Sequence, residues 1–423
     1  CNSCPDGAGS GSASFDKFVT IGNSFVAGFQ AGALYDAAQN NSMAKMIAQQ
    51  LNCAGGAATF NQPDINSFNG FNIQLSVPAQ GIFLGRLVLF DDGSGPVPAP
   101  AGSPGVPAPY NTADIPTAYT GDKGALNNFG VPLIFLGQAL IPDTGIPGSP
   151  FFNPLWYRFA SSPGVKSIVE DALGAAGSFY LIWLGIDDAL LHAALGADDT
   201  FPLTSVEAFN LQFNGLITTM LTVNPVFKGV VGNIPSIVTY PYFTFIPYNT
   251  IALDAITAAF LQGSLANNYN NFLSAMVGFQ VISPEERDKR LLNYIEGDNG
   301  AFITDETLTD LTELMIANGA EALVPYAQAR QTTATDLIPL AAGAVLGNPY
   351  MGIPTAIQGV SWPLADQYAL TVTEIVQIET NIAGYNAIID GAVAGSADRL
   401  VVADVKSAYN NLLGASITNS GLV

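Results

Sequence analysis

The stretch "FVTIGNSFVAGF", Phe18–Phe29, reads as a short apolar strand, a Gly-Asn-Ser turn and the first residues of a helix. Three further runs have the same continuous apolar character: "SFYLIWLG" (178–185), "KGVVGNI" (228–234) and "RLVVAD" (399–404). Continuous rather than alternating apolar residues are expected where both faces of a strand are covered, as in a parallel sheet. Helical patterns separate the runs. Ser42 caps "MAKMIAQQL", with Met43, Met46, Ile47 and Leu51 on one face. Ser283-Pro284-Glu285-Glu286 opens "RDKRLLNYIEG", and Thr371 with Glu374 forms a capping box ahead of Ile375, Ile378, Ile382, Tyr385 and Ile389. Strands alternating with helices predict an α/β fold, a doubly wound, flavodoxin-like parallel sheet flanked by helices.

Two stretches depart from that plan. Residues 76–126 hold the Pro/Gly-rich "DDGSGPVPAPAGSPGVPAPYN", with strand-like pieces around "GRLVLF". Residues 283–370 read as a largely helical insertion. Because the run 399–404 follows both, residues 16–423 read as one domain with two insertions.

The chain has 423 residues and is 49% apolar, enough to bury a sizeable core. Its 13 basic and 34 acidic side chains give a net charge of −21, which repels phosphate backbones and argues against a nucleic-acid partner. No apolar run of about 18 residues offers a transmembrane helix. The first residue is Cys1, followed by the small polar stretch "NSCPDGAGSGSAS". This pattern fits a lipid-modified Cys1 on a flexible tether over residues 1–15, anchored to a membrane rather than spanning it. The alternative is a boundary that merely falls on a cysteine. Cys4 and Cys53 remain as a possible disulfide pair, which spacing alone does not decide.

In an open α/β sheet, sites form at the carboxyl ends of strands. Ser24 lies at such an end, and its simplest reading there is a helix cap. "YLIWLGIDDALLH" places Asp187 and Asp188 after another strand, with His192, the only histidine, four residues beyond Asp188. On a helix, Asp188 and His192 share a face and could pair as a carboxylate and a base, or be first-turn acids and an incidental histidine. "NNFGVPL" (127–133) signals a turn. The aromatic "TYPYFTFIPYN" (239–249) would either line an apolar cleft or fill core and loop. The cysteine and histidine spacings make no zinc site, and neither a P-loop nor a dinucleotide fingerprint is present, so no metal and no cofactor are expected.

In this order, "GNSFVAGFQAGALYDAAQNNS", "FNQP", "NNFGVP", "NPLWYRFASSPG", "WLGIDDAL", "GVVGNIPSIVTYPYFTFIPYN" and "ADQYALTVTEIVQIETNIAGYNAII" resemble the SGNH/GDSL hydrolase family, in particular its lipoprotein-type members of Bacteroidota. The resemblance implies ester hydrolysis by a serine nucleophile, with backbone and Asn donors for the oxyanion and a His base from a C-terminal Asp-x-x-His block. Ser24 matches the nucleophile, preceded by Asn23 where the family has Asp. Leu133 stands at the place of the oxyanion glycine, and Asp187 at that of the oxyanion asparagine. No histidine follows His192; either the chain as read stops short of the Asp-x-x-His block or the block is lost. The resemblance implies a lipid-anchored protein of the outer membrane or cell surface. Its implied partners are membrane lipid, an outer-membrane β-barrel of the fatty-acid-transporter type, and an apolar or acyl ligand. The substitutions imply impaired catalysis and a binding or accessory role. An active esterase working through Ser24 is the alternative.

Overall fold

The apolar half of the opening stretch forms β1 (Phe18–Gly22), and all five of its residues are buried. The computed structural model describes residues 9–57, 59–77, 80–91, 93, 96–106, 118–198 and 200–418. Four more strands join β1: β2 (Asn128–Gly130), β3 (Phe179–Trp183), β4 (Lys228–Gly232) and β5 (Leu400–Ala403). All pair in parallel, in the order β5-β4-β3-β1-β2. The architecture is thus α/β and doubly wound: β1 has the second strand on one side and the third on the other.

The four apolar runs all became strands of this sheet. β2 lies where the sequence suggested only a turn. It is a three-residue edge strand without an apolar run, and side-chain amides hold it. Thr20 Oγ1 donates to Asn128 Oδ1 at 2.9 Å, and Asn127 Nδ2 donates to the Phe18 carbonyl at 2.7 Å. Both faces of the central strands are packed, with Val19, Ile21, Tyr180 and Ile182 fully buried. The helix Ile168–Gly174 packs on β1 and β2, and also meets the long helix Val206–Val223. From the latter, Phe209 stacks on Tyr385 with ring centroids 4.2 Å apart.

The capping signals held. Ser42 Oγ accepts the Lys45 N–H at the head of the helix Met43–Asn52, Ser283 accepts the Glu286 N–H, and the Thr371 N–H donates to Glu374. The amphipathic face was less exact. Ala44 is the buried centre of the helix Met43–Asn52, and Met46 is 48% exposed. The helix opened by Ser283 ends at Arg290, not beyond it. There the guanidinium is swallowed by the core, donating to the Ala327 carbonyl at 2.7 Å and to Glu286, while Leu292 and Tyr294 turn inward on extended chain.

Packing divides the chain into two units. One comprises the chain through Asp188 with Thr204–Ile234 and Ala383–Ala408; it holds the five-stranded sheet. The described residues of 76–126 fall in it, with an antiparallel ladder of Leu87–Asp91 against Pro96–Pro100. The other comprises Ala189–Leu203, Pro235–Ile382 and the chain from Tyr409. Its core gathers Tyr269, Leu273, Met276, Phe302 and Met315. Residues 283–370 are less helical there than their sequence suggested. Short helices alternate with turns and two-stranded ladders such as Phe302–Thr304 against Ala329–Gln331. Arg330 anchors this region, with ion pairs to Asp305 at 2.5 Å and Asp336 at 2.7 Å, all three buried. Among the described residues, no helix is long and apolar enough to cross a membrane.

Gly130 ends β2 where it touches the helix Ser24–Ala27. A Cβ at this position would lie 2.5 Å from the Ala27 nitrogen and 2.7 Å from the Val26 carbonyl carbon, both backbone atoms. Gly130→Ala is therefore expected to destabilise the protein by about 1–3 kcal/mol. Gly174→Ala, at a helical position where a Cβ meets nothing within 4 Å, serves as the control in the same urea titrations and should raise the midpoint slightly.

Candidate functional site

Neighbouring connections leave β1 in opposite directions, so the switch point of the sheet, where the site crevice of doubly wound folds forms, lies at the carboxyl ends of β1 and β3. Three segments arrive at these ends: Gly22-Asn23-Ser24 after β1, Val131–Leu136 after β2, and Gly185–Asp188 after β3. Asn23 caps the helix Ser24–Ala27 by accepting the Phe25 N–H at 3.0 Å, so the capping role belongs to Asn23 and leaves the Ser24 hydroxyl free of it.

The loop after β2 knits the three segments together. Its Val131 N–H donates to the Gly22 carbonyl at 2.9 Å, extending the β1 pairing by one bond. The Leu133 N–H donates to Ser24 Oγ at 3.0 Å. The Ile134 N–H donates to Asp187 Oδ2 at 3.1 Å, and the Leu136 N–H to Asp188 Oδ2 at 2.8 Å. Thr204 Oγ1 donates to the other Asp188 oxygen at 2.8 Å. Asn153, which caps the helix Pro154–Tyr157, turns its amide to the Pro132 carbonyl at 2.9 Å. Gly185 makes the turn into Asp187 feasible. Its φ is +98°, and a Cβ there would lie 2.5 Å from the Phe209 ring.

Leu133 adopts φ +55°, the left-handed region in which a leucine costs about 1–2 kcal/mol relative to glycine. The conformation that a glycine would adopt freely is thus imposed on a leucine by the hydrogen bonds on either side of it. Such a backbone points the Leu133 N–H at Ser24.

Asp187 and Asp188 are each 1% exposed. Burial raises the Asp187 carboxyl to about 7, opposed by the Ile134 N–H and reinforced by the charge of Asp188. Burial likewise raises Asp188 to about 6, against the hydrogen bonds from Leu136 and Thr204. The pair therefore gives up its protons in the neutral range, and the acceptor oxygen that Asp187 offers to Ile134 is a carboxyl or carboxylate oxygen, not an amide.

The structure brings Ser24, Leu133, Asp187 and Asp188 together at one sheet edge. Asn153 and Thr204 complete the set and were missed in the sequence; "NPLWY" carried a cap signal for Asn153, while nothing local marked Thr204. Among the described residues, Ser24 Oγ has one hydrogen-bond partner, the Leu133 N–H. His192 belongs to the second unit, where its Nδ1 lies 2.8 Å from the Phe201 carbonyl and closes the turn after its own helix. The aromatic stretch 239–249 divides: Phe243 is fully buried core and Phe245 is 74% exposed. Cys53, at the C-cap of its helix, is disulfide-bonded; Cys1 and Cys4 lie outside the described residues.

A second cluster, in the other unit, had no sequence signal. Glu306, Asp366 and Glu374 each bring a carboxyl oxygen within 4.8 Å of the others. Burial, then hydrogen bonding to Glu306, raises both Asp366 and Glu374 to about 8, while Glu306 is held low by accepting from them. The three carboxyls share protons. Their oxygens are of the hard type that suits Mg²⁺ or Ca²⁺, and cysteine or histidine spacing carries no sign of such an all-carboxylate set.

Compared with protein-family profiles, with curated proteins and with solved structures, the chain finds no match.

A carboxyl raised in the folded state binds its proton more tightly there than in the unfolded chain. Its stabilisation is present below the ordinary carboxylate range and is lost as pH rises towards about 7. Asp187→Asn removes this dependence. Between pH 4 and 7 the stability of the variant relative to the native chain should rise by up to about 1.4 kcal/mol per pH unit, read from urea midpoints at each pH. Parallel profiles for the two proteins would show that folding leaves the Asp187 pKa unshifted.

Proposed function

We propose that this chain is an SGNH/GDSL hydrolase-like protein, lipid-anchored at the outer membrane or cell surface. In it the hydrolase site persists in outline, is weakened in chemistry, and serves binding or an accessory role. The supporting observation is the pairing of Ser24 with the Leu133 N–H across the strand-switch crevice, with Asp187 accepting from Ile134, the next residue of the same loop. A donor 3.0 Å from the attacking oxygen lies near the position that a substrate oxyanion would take. Asp187 opposes that role. A carboxylate repels an oxyanion, and only its protonated form could donate. Loss of a single oxyanion donor costs about 10²–10³ in rate, and a negative charge in its place costs more. What remains is a crevice able to hold an acyl or other apolar ligand, presented by a protein whose implied neighbour is an outer-membrane β-barrel.

The family resemblance, the sheet order and the convergence of Ser24, Leu133 and Asp187 support this reading together. Its test is labelling of Ser24 by a fluorophosphonate, in which Oγ displaces fluoride from phosphorus. The native chain is expected to label slowly. The double variant Leu133→Gly, Asp187→Asn, which installs an unstrained glycine and an amide donor, should label at least about tenfold faster. Labelling of the native chain as fast as a typical serine esterase, abolished by Ser24→Ala, would establish the second reading, an active esterase. Anchoring is tested separately. Radiolabelled palmitate should be incorporated when the full-length gene product is expressed in a bacterium, and Cys1→Ala should abolish incorporation and release the protein from the membrane fraction.

A further inference from the structure

Most of the arginines in this chain find oxygen partners. Arg158 donates to the Pro63 and Asp64 carbonyls, Arg290 to Glu286, Arg330 to Asp305 and Asp336, Arg287 to Asp288, and Arg399 to the Leu221 carbonyl. Arg86 is different. Among the described residues, its guanidinium makes no hydrogen bond and no ion pair, and its Nε is buried without a partner. This occurs in a chain with 34 acidic side chains against 13 basic ones. A buried guanidinium N–H without an acceptor costs on the order of 1–3 kcal/mol or more, so the arrangement calls for an explanation.

Aromatic rings hold the group instead. Arg86 Cζ lies over the Tyr35 ring, 5.2 Å from its centroid, and over the Phe68 ring, 5.1 Å from its centroid. The backbone beneath is pinned from three directions. The Arg86 N–H donates to the Asn69 carbonyl at 2.7 Å, its carbonyl accepts the Ala101 N–H at 3.0 Å, and the Leu87 N–H reaches the Ala31 carbonyl at 2.7 Å. The two rings are themselves on linked segments, because the carboxylate of Asp36, next to Tyr35, accepts the Ser67 N–H at 2.9 Å. All of these residues lie in the unit that carries the sheet.

We propose that Arg86, flanked by Tyr35 and Phe68, is a binding site for a small monocarboxylate with an apolar body. The rings hold the guanidinium at cation–π distance, and its terminal Nη groups, which make no hydrogen bond within the described residues and do not belong to the buried unpartnered atoms, are left for a planar acceptor. A carboxylate matches that edge with two parallel hydrogen bonds, a geometry that lysine cannot offer. Phe68 is 69% exposed, so it supplies an apolar wall beside the charge for an alkyl or aryl group. The aromatic clamp holds the cation in place before the ligand arrives, which lowers the ordering cost of binding. This site is independent of the Ser24 crevice and of the function proposed for it.

The test is titration of the whole chain with hexanoate, followed by calorimetry and by the Arg86 Nε–H resonance in ¹⁵N-edited NMR. Hexanoate is expected to saturate, to shift that resonance, and to bind more tightly than acetate or the polar carboxylate N-acetylaspartate amide. Arg86→Gln should weaken binding roughly 10- to 100-fold, and Arg86→Lys should recover part of it. Phe68→Ala, which removes both the wall and half of the clamp, should weaken hexanoate more than acetate and so erase the preference between them. Ser24→Ala should change none of these values. Absence of saturation, or undiminished binding in a folded Arg86→Gln variant, overturns the site. Equal affinity for N-acetylaspartate amide overturns the apolar wall. Should Arg86→Gln fail to fold, an Nε–H resonance in the native chain that ignores saturating hexanoate is equally decisive against the proposal.

Discussion

The loop after β2 donates three backbone N–H groups to side chains rooted on other strands. Leu133 gives to Ser24, Ile134 to Asp187 and Leu136 to Asp188. These bonds bring residues more than fifty positions apart in the chain to one sheet edge. They also account for the strained backbone at Leu133. A leucine remains left-handed only where the bonds on both sides over-determine it. Asn153 supports the same loop from behind through the Pro132 carbonyl. The crevice is therefore built as a unit, and a change at any of its anchors alters the direction of the others.

Electrostatics set what this unit can do. Asp187 and Asp188 are buried and bound by the loop after β2, and each backbone bond stabilises the charged form that burial disfavours. Burial dominates, which places both carboxyls near neutrality. The carboxyl trio of the other unit reaches a similar result by another route. There Asp366 and Glu374 keep their protons partly because Glu306 accepts them. Arg330 shows the opposite case, in which buried Asp305 and Asp336 are compensated by a full cation.

The legible parts of the fold were those whose signal is local and redundant. The runs around Val19, Tyr180 and Val231 needed only their apolar character, because a strand covered on both faces shows it along its length; the edge run at Leu400 has the same character although Val401 is 60% exposed. Ser42, Ser283 and Thr371 announced helix starts because a cap needs one side chain and its own next turn. The edge strand Asn128–Gly130 carried no such pattern; an amide from Asn127 and a hydroxyl from Thr20 hold it across more than a hundred residues of chain. The helix from Pro284 likewise ended where the core needed the Arg290 guanidinium, a demand invisible in "RDKRLLNYIEG". At the site, Ser24, Leu133 and Asp187 were legible through their order and their resemblance to a known pattern, whereas Asn153 and Thr204 act through contacts that no neighbouring residue betrays.

By itself, then, the sequence determined the alternation of buried strands and capped helices, the strand-end position of Ser24, and the chemical identity of the residues at Leu133 and Asp187. Those properties follow from side-chain type and short-range backbone preference. Only the tertiary structure decided which N–H groups meet which side chains, and how far Asp187 is from water. It also decided that Arg86 would lie over two aromatic rings instead of against an acid. These depend on distances between segments far apart in the chain and on the dielectric around them, and neither quantity exists until the sheet is assembled.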